Sequence, residues 1–124
     1  MHYSMQTIAV TTDASGAVTE YTGSVVNGRI LAIRYVDTDL AAGAADFVFS
    51  TETTGTTILT ATNAGGTDVT WHPRAKVCDE AAADVTYDGT NEVYEPIPVA
   101  DERIKLVVAQ GGNAKSGTFY IITD

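Results

Sequence analysis

Short runs of β-branched and aromatic residues, each ended by Gly, Asn or Asp, leave this chain no stretch in which a stable helix could grow. The closing residues show the pattern best. They read Arg103-Ile-Lys-Leu-Val-Val-Ala-Gln, then Gly-Gly-Asn-Ala-Lys-Ser, then Gly117-Thr-Phe-Tyr-Ile-Ile-Thr-Asp124. Strand, Gly/Asn turn, strand: this predicts a terminal hairpin.

The same grammar runs upstream. Residues 4–12 and 17–22 read as strands around an Asp13-Ala-Ser-Gly16 turn, since Asp bonds its own backbone and Gly accepts positive φ. The Asn27-Gly28 pair predicts a second turn. Residues 29–37 are apolar on both faces, as a strand inside a sandwich would be, with Arg34 as the charged interruption. Residues 39–45 are Ala-rich, but Gly43 and the short length favour a loop. Strands follow at 46–53, with Phe47 and Phe49 inward, and at 56–62, before an Asn63-Ala-Gly-Gly66 turn. Residues 69–83 read as a long connection with a short strand at its start. A short strand at 84–87 and a turn at 88–91 lead to an extended run at 92–99, which Pro96 and Pro98 place on a sheet edge. The sum is one all-β domain over 1–124: an antiparallel β-sandwich, jelly-roll or immunoglobulin-like Greek key, of eight or nine short strands. Residues 1–5 stand ahead of it as an N-terminal arm.

A chain of this length buries about two thirds of its unfolded surface, enough for a core without staples. With 16 acidic and 7 basic residues the net charge is −9. Clustered Lys and Arg are what phosphates need, so nucleic acid and anionic membrane are both expected non-partners. The lone Cys78 can form no internal disulfide. Residues 1–6 lack a basic segment leading into an apolar run, so no secretory leader is expected, and no run approaches the roughly 20 apolar residues of a membrane helix.

No reactive constellation is readable. His2 and His72 are the only histidines, and neither pairs with Cys78 at a metal-site spacing, so a surface histidine and a buried thiol are expected. Asp37, Asp39 and Asp46 could gather at a strand end, but three carboxylates fall short of a calcium shell. Asp79-Glu80 and Asp101-Glu102 are adjacent pairs whose side chains diverge in extended backbone. The 111–115 run lacks the Gly-Lys-Ser/Thr ending and following helix of a phosphate loop, since Ala114 precedes Lys115. Trp71, Tyr87, Tyr94 and Tyr120 could line a sugar site, yet they form no single stripe, and packing is the expected role. No enzyme activity, metal or cofactor is expected.

Several segments together carry a family resemblance: 10–16, Val26-Asn-Gly-Arg-Ile-Leu-Ala-Ile-Arg-Tyr35, Ala45-Asp-Phe-Val-Phe49, Tyr87-Asp-Gly-Thr90, Ile97-Pro-Val-Ala-Asp-Glu-Arg-Ile-Lys-Leu-Val-Val108 and 111–119. Over most of its length the chain resembles the head decoration, or cement, proteins of tailed bacteriophages. The resemblance implies a structural protein, assembled in the bacterial cytoplasm, that binds the outside of the mature head. There it would bridge subunits of the major capsid protein, its copies gathered as homotrimers at threefold positions. Many weak contacts repeated on a lattice sum to a large effect.

Trp, Tyr and Arg are the usual anchors of such contacts. The expected interface residues are therefore Met1, Tyr3 and Met5 in the arm, Trp71, His72 and Arg74 in the long connection, and Tyr94, Pro96, Ile97 and Pro98 on the expected edge. The alternatives are a tail or neck subunit and a carbohydrate-binding β-sandwich module.

Overall fold

In the computed structural model, residues 3–124 are described, and among them there is no helix. Ten strands run in order: β1 (Ser4–Thr11), β2 (Val18–Tyr21), β3 (Val26–Asp37), β4 (Asp46–Thr51), β5 (Thr57–Ala61), β6 (Val69–Trp71), β7 (Arg74–Lys76), β8 (Tyr94–Glu102), β9 (Ile104–Ala109) and β10 (Ser116–Thr123). They form two antiparallel sheets. The first has the order β1-β10-β3-β8-β7, with β6 also pairing β3, and the second β2-β9-β4-β5. The expected all-β sandwich is what the chain forms, with ten strands rather than eight or nine.

Each strand gives alternate residues to the space between the sheets. In β10 these are Phe119 and Ile121, in β9 Ile104, Leu106 and Val108, and in β4 Phe47 and Phe49, all essentially inaccessible. The aromatic rings meet at the centre. Phe119 lies 4.9 Å from both Tyr35 and Phe47, centroid to centroid, and 5.5 Å from Phe49.

The closing segment is not a hairpin. β9 and β10 lie in different sheets and face each other across the core. The reason is in the alternation: each strand has its own inward apolar row, and the rows bury best against one another. Residues 110–115 carry the chain over. The Gly111 N–H donates to the Gly16 carbonyl at 2.8 Å, and the Gly111 carbonyl accepts from the Ala41 N–H at 3.0 Å. A Cβ on Gly16 would stand 2.9 Å from the Gly112 nitrogen, so the 13–16 turn closes on this crossing only because Gly16 is bare.

Asn27-Gly28 is not a turn either. Both residues lie inside β3, where the register with β8 shifts between Val26 and Gly28. Gly28 has φ of 130°, and a Cβ there would meet the Asp124 carbonyl oxygen at 1.8 Å. Glycine in a strand marks a bulge or a close backbone approach, and this one is both.

The region between β5 and β9 differs most from expectation. The long connection contains β7 as well as β6, while residues 84–87 make only the isolated bridges Cys78 to Asp84 and Thr86 to Glu92. β8 has its two partners in succession: β7 along Tyr94, Glu95 and Pro96, then β3 from Ile97 to Glu102. Pro96 stands in the first ladder and Pro98 in the second, and neither is paired on both sides, so their missing donors are tolerated.

Candidate interaction surface

Register fixes which side chains look outward from the first sheet. Ile30, Ile33, Tyr35, Ile97 and Val99 point to the core. The residues between them therefore form the outer face. Pro98 stands opposite Arg29, Pro96 opposite Arg74 and Tyr94 opposite Lys76. Across β3, Arg34 stands opposite Tyr120 on one side and Thr70 on the other.

Four of the sequence-selected residues, Arg74, Tyr94, Pro96 and Pro98, thus share one face at the β7/β8 end. His72 is exposed beside them, and Tyr94 is 56% exposed. Ile97 is 5% exposed and belongs to the core. Trp71 packs on the core as well: its ring stacks on Tyr35 at 6.4 Å and meets Phe47 edge-on at 6.2 Å. Tyr3 and Met5 lie at the opposite side of the sheet, separated from β8 by β10 and β3. The expected arm is shorter than 1–5, because Ser4 and Met5 already pair with Thr123 and Ile122. Met1 lies outside the described residues.

Sequence reasoning missed Arg29 and Lys76 on this face, weighed Tyr120 only for a sugar site, and read Arg34 only as an interruption. Two charges at outward positions of an otherwise apolar strand were the available signal. Arg29, Arg34, Arg74 and Lys76 are four of the seven basic residues in an acidic chain. Three are paired. Arg29 bonds Asp124, Arg34 Nη2 lies 3.7 Å from Asp68, and Lys76 Nζ lies 3.4 Å from both Asp84 and Glu92. The Glu92 contact, then Asp84, raises the Lys76 pKa above its ordinary value, and Asp124 raises that of Arg29. Arg74 has no carboxylate partner among the described residues. Its Nη1 donates to the Leu31 and Pro73 carbonyls at 3.1 and 2.7 Å, which holds the guanidinium against the sheet. The face is thus nearly neutral, with one immobilised cation beside an exposed tyrosine and two prolines.

The acidic residues serve the backbone. Asp39 accepts from the Ser116 N–H, Asp46 from the Asn63 N–H, and Asp68 from the Asp37 N–H. Asp37 accepts from the Tyr35 hydroxyl at 3.0 Å. Asp13 and Asp88 cap their own turns, so bonds from Ser15 and Asn91 hold their carboxyls below the usual range. Among the described residues no three His, Cys, Asp or Glu side chains gather around a metal position, and no ligand-sized pocket opens. Cys78 is exposed, not buried: it stands in the 77–93 excursion, which never enters the core.

The fold is a β-sandwich that sets Arg74, Tyr94, Pro96 and Pro98 on the outer face of one sheet. No family model matches the chain, and no curated protein does. Among solved structures, a crystal structure of FLHE is similar in outline, with a TM-score of 0.41 and 10% identity over 99% of this chain and 98% of that one. A likeness that loose carries nothing about function.

Proposed function

We propose that the chain is a structural subunit of a tailed-bacteriophage particle that binds the outside of the mature head and ties major capsid protein subunits together. The observation that carries the reading is the outer face at the β7/β8 end. There, Arg74 is held against the sheet beside Tyr94, Pro96 and Pro98, and it has no carboxylate partner among the described residues. Arg and Tyr anchors with rigid neighbours suit a flat protein–protein contact, because little side-chain entropy is lost on docking. The resemblance of segments 26–35 and 97–108 to head decoration proteins points the same way.

Lattice multivalency supplies the strength. A contact too weak to hold one copy holds when each molecule bridges several capsid subunits. Copies of the chain would also contact one another on the shell. Nucleic acid and membrane play no part in this reading. A carbohydrate-binding role is the poorer fit, since Trp71, the best stacking ring, is spent on Tyr35 and Phe47.

Co-sedimentation of the purified chain with expanded heads, and with unexpanded heads as control, tests the proposal. Saturable binding to expanded heads alone is expected. Binding to neither, with the protein found at the tail or neck of imaged particles, overturns it.

A further inference from the structure

Among the described residues, five strands have one ladder partner each, β1, β2, β5, β6 and β7, and they are not alike; β6 is only three residues long. β7 is three residues long and carries Arg74 and Lys76, β2 is four residues with Glu20, and β5 is five residues beside a register shift at Phe49/Ser50. Short length, charge and irregularity are the usual protections of a sheet edge. β1 has none of them. Its eight residues, Ser4–Thr11, contain no charge, no Pro and no Gly, in a chain that is 19% charged, and its register with β10 is unbroken. Its ladder with β10 is the only one it makes among the described residues, and no other backbone–backbone bond involves it.

Exposed apolar side chains gather at the same place. Five large hydrophobic residues are exposed among those described: Tyr3, Met5, Val25, Tyr87 and Tyr94. Tyr3, at 66%, immediately precedes β1, and Met5, at 61%, lies within it. Val25, at 46%, follows Ser24, whose N–H donates to Gln6 Oε1 at 3.1 Å. An unprotected edge flanked by uncovered apolar groups is a site for strand addition.

We propose that β1 pairs antiparallel with β1 of a second copy of this chain about a two-fold axis, joining the first sheets of two molecules. Gln6, Ile8 and Val10 face the core side, while Met5, Thr7, Ala9 and Thr11 face outward. Opposite residues of an antiparallel pair lie on the same face, so the axis must pass through a residue, Thr7 or Ile8, and not between the two. Either register sets Met5 against Ala9 or Thr11 of the second copy and covers it. With a net charge of −9 on each molecule, two copies repel almost everywhere, and the uncharged strand is where they approach most cheaply. A threefold ring would need β1 to join a different edge, and the other four are short, charged or irregular. The pairing stands or falls independently of any role on a capsid.

Sedimentation equilibrium of the full chain is the test, alongside a Thr7→Lys/Ala9→Lys variant. Both substituted positions are exposed on the outward side, and the lysines meet like charge across the axis. The wild type should sediment at twice 13.0 kDa and the variant at 13.0 kDa, with the same β-sheet circular dichroism. A monomeric or trimeric wild type, or a folded variant that remains dimeric, overturns the proposal. Should the variant fail to fold, amide exchange of the wild type decides. Exchange in β1, and not in β5 or β7, should slow as concentration rises, and concentration-independent exchange in β1 overturns the pairing.

Discussion

Replacing Tyr35 with phenylalanine should produce a stability loss whose size depends on pH in a way no other single residue here can imitate. Tyr35 is fully buried, and its hydroxyl lies 2.8 Å from the Gly65 carbonyl and 3.0 Å from Asp37 Oδ1. The ring contacts with Phe119, Phe47 and Trp71 survive the substitution. What is lost is the donor to the buried Gly65 carbonyl, at a cost of about 1–3 kcal/mol near neutral pH. Burial, and then the Asp37 carboxylate beside it, raise the Tyr35 pKa well above the ordinary 10.0. In the unfolded chain the phenol ionises at its ordinary value, while in the native state it does not. Above pH 10 the unfolded state therefore binds fewer protons, and stability falls as pH rises, by about 1.4 kcal/mol per unit for this one group. A phenylalanine at this position has no proton to lose and cannot contribute to that slope. Urea denaturation followed by Trp71 fluorescence, from pH 7 to 11.5, measures both proteins under the same conditions. Titration of Lys76 is common to the two and cancels in the difference. The wild-type advantage should shrink steadily above pH 10 and approach zero by about pH 12, on that slope. A constant difference across the range would refute the argument that burial holds this phenol neutral.

Three further outcomes follow from the packing and the ion pairs. Phe119→Ala empties the meeting point of four aromatic rings and should cost about 3–5 kcal/mol in denaturant titration without a change of fold. Gly28→Ala forces a Cβ onto the Asp124 carbonyl at positive φ, so it should cost more than about 1 kcal/mol, whereas Gly55→Ala, also at positive φ but with open space around it, should cost less. Acid should destabilise the protein through carboxyls held below their ordinary values: Asp13 by Ser15, Asp88 by Asn91, Glu102 by Thr54 and Asp124 by Arg29. Their contribution is fully present above the unfolded values of 3.8 and 4.5 and is lost as pH falls through the lower native ones. Glu102→Gln, which loses the charge that accepts from the Thr53 and Thr54 N–H groups, should flatten that acid limb in thermal melts.

Fold class was legible because alternation and turn residues act locally. Phe47 and Phe49 inward, β3 apolar on both faces, and the 39–45 loop all followed from spacing of two and from Gly and Asn. Three things were not legible, each for a physical reason. The sheet to which a strand belongs depends on which inward rows fit together, so β9 and β10 looked like a hairpin when they are opposite walls of one core. Asn27-Gly28 has the same letters as a turn and is a bulge, because the demand on Gly28 comes from Asp124, distant in sequence. Pro96 and Pro98 announce missing donors but not the partners, so the change from β7 to β3 between them was not readable. The candidate surface was half legible: Arg74, Tyr94, Pro96 and Pro98 come together, whereas Trp71 and Ile97 turn inward, since their neighbours across the sheet are Ile33 and Ile30.

On the proposed role, the outer face at the β7/β8 end is the one that meets the capsid. Titrating expanded heads with wild type and with an Arg74→Glu/Tyr94→Ala double variant tests this directly. Loss of two anchor residues, at about 2 kcal/mol or more, should weaken binding by roughly thirty-fold with the thermal midpoint preserved. Equal saturation by the two proteins would contradict it.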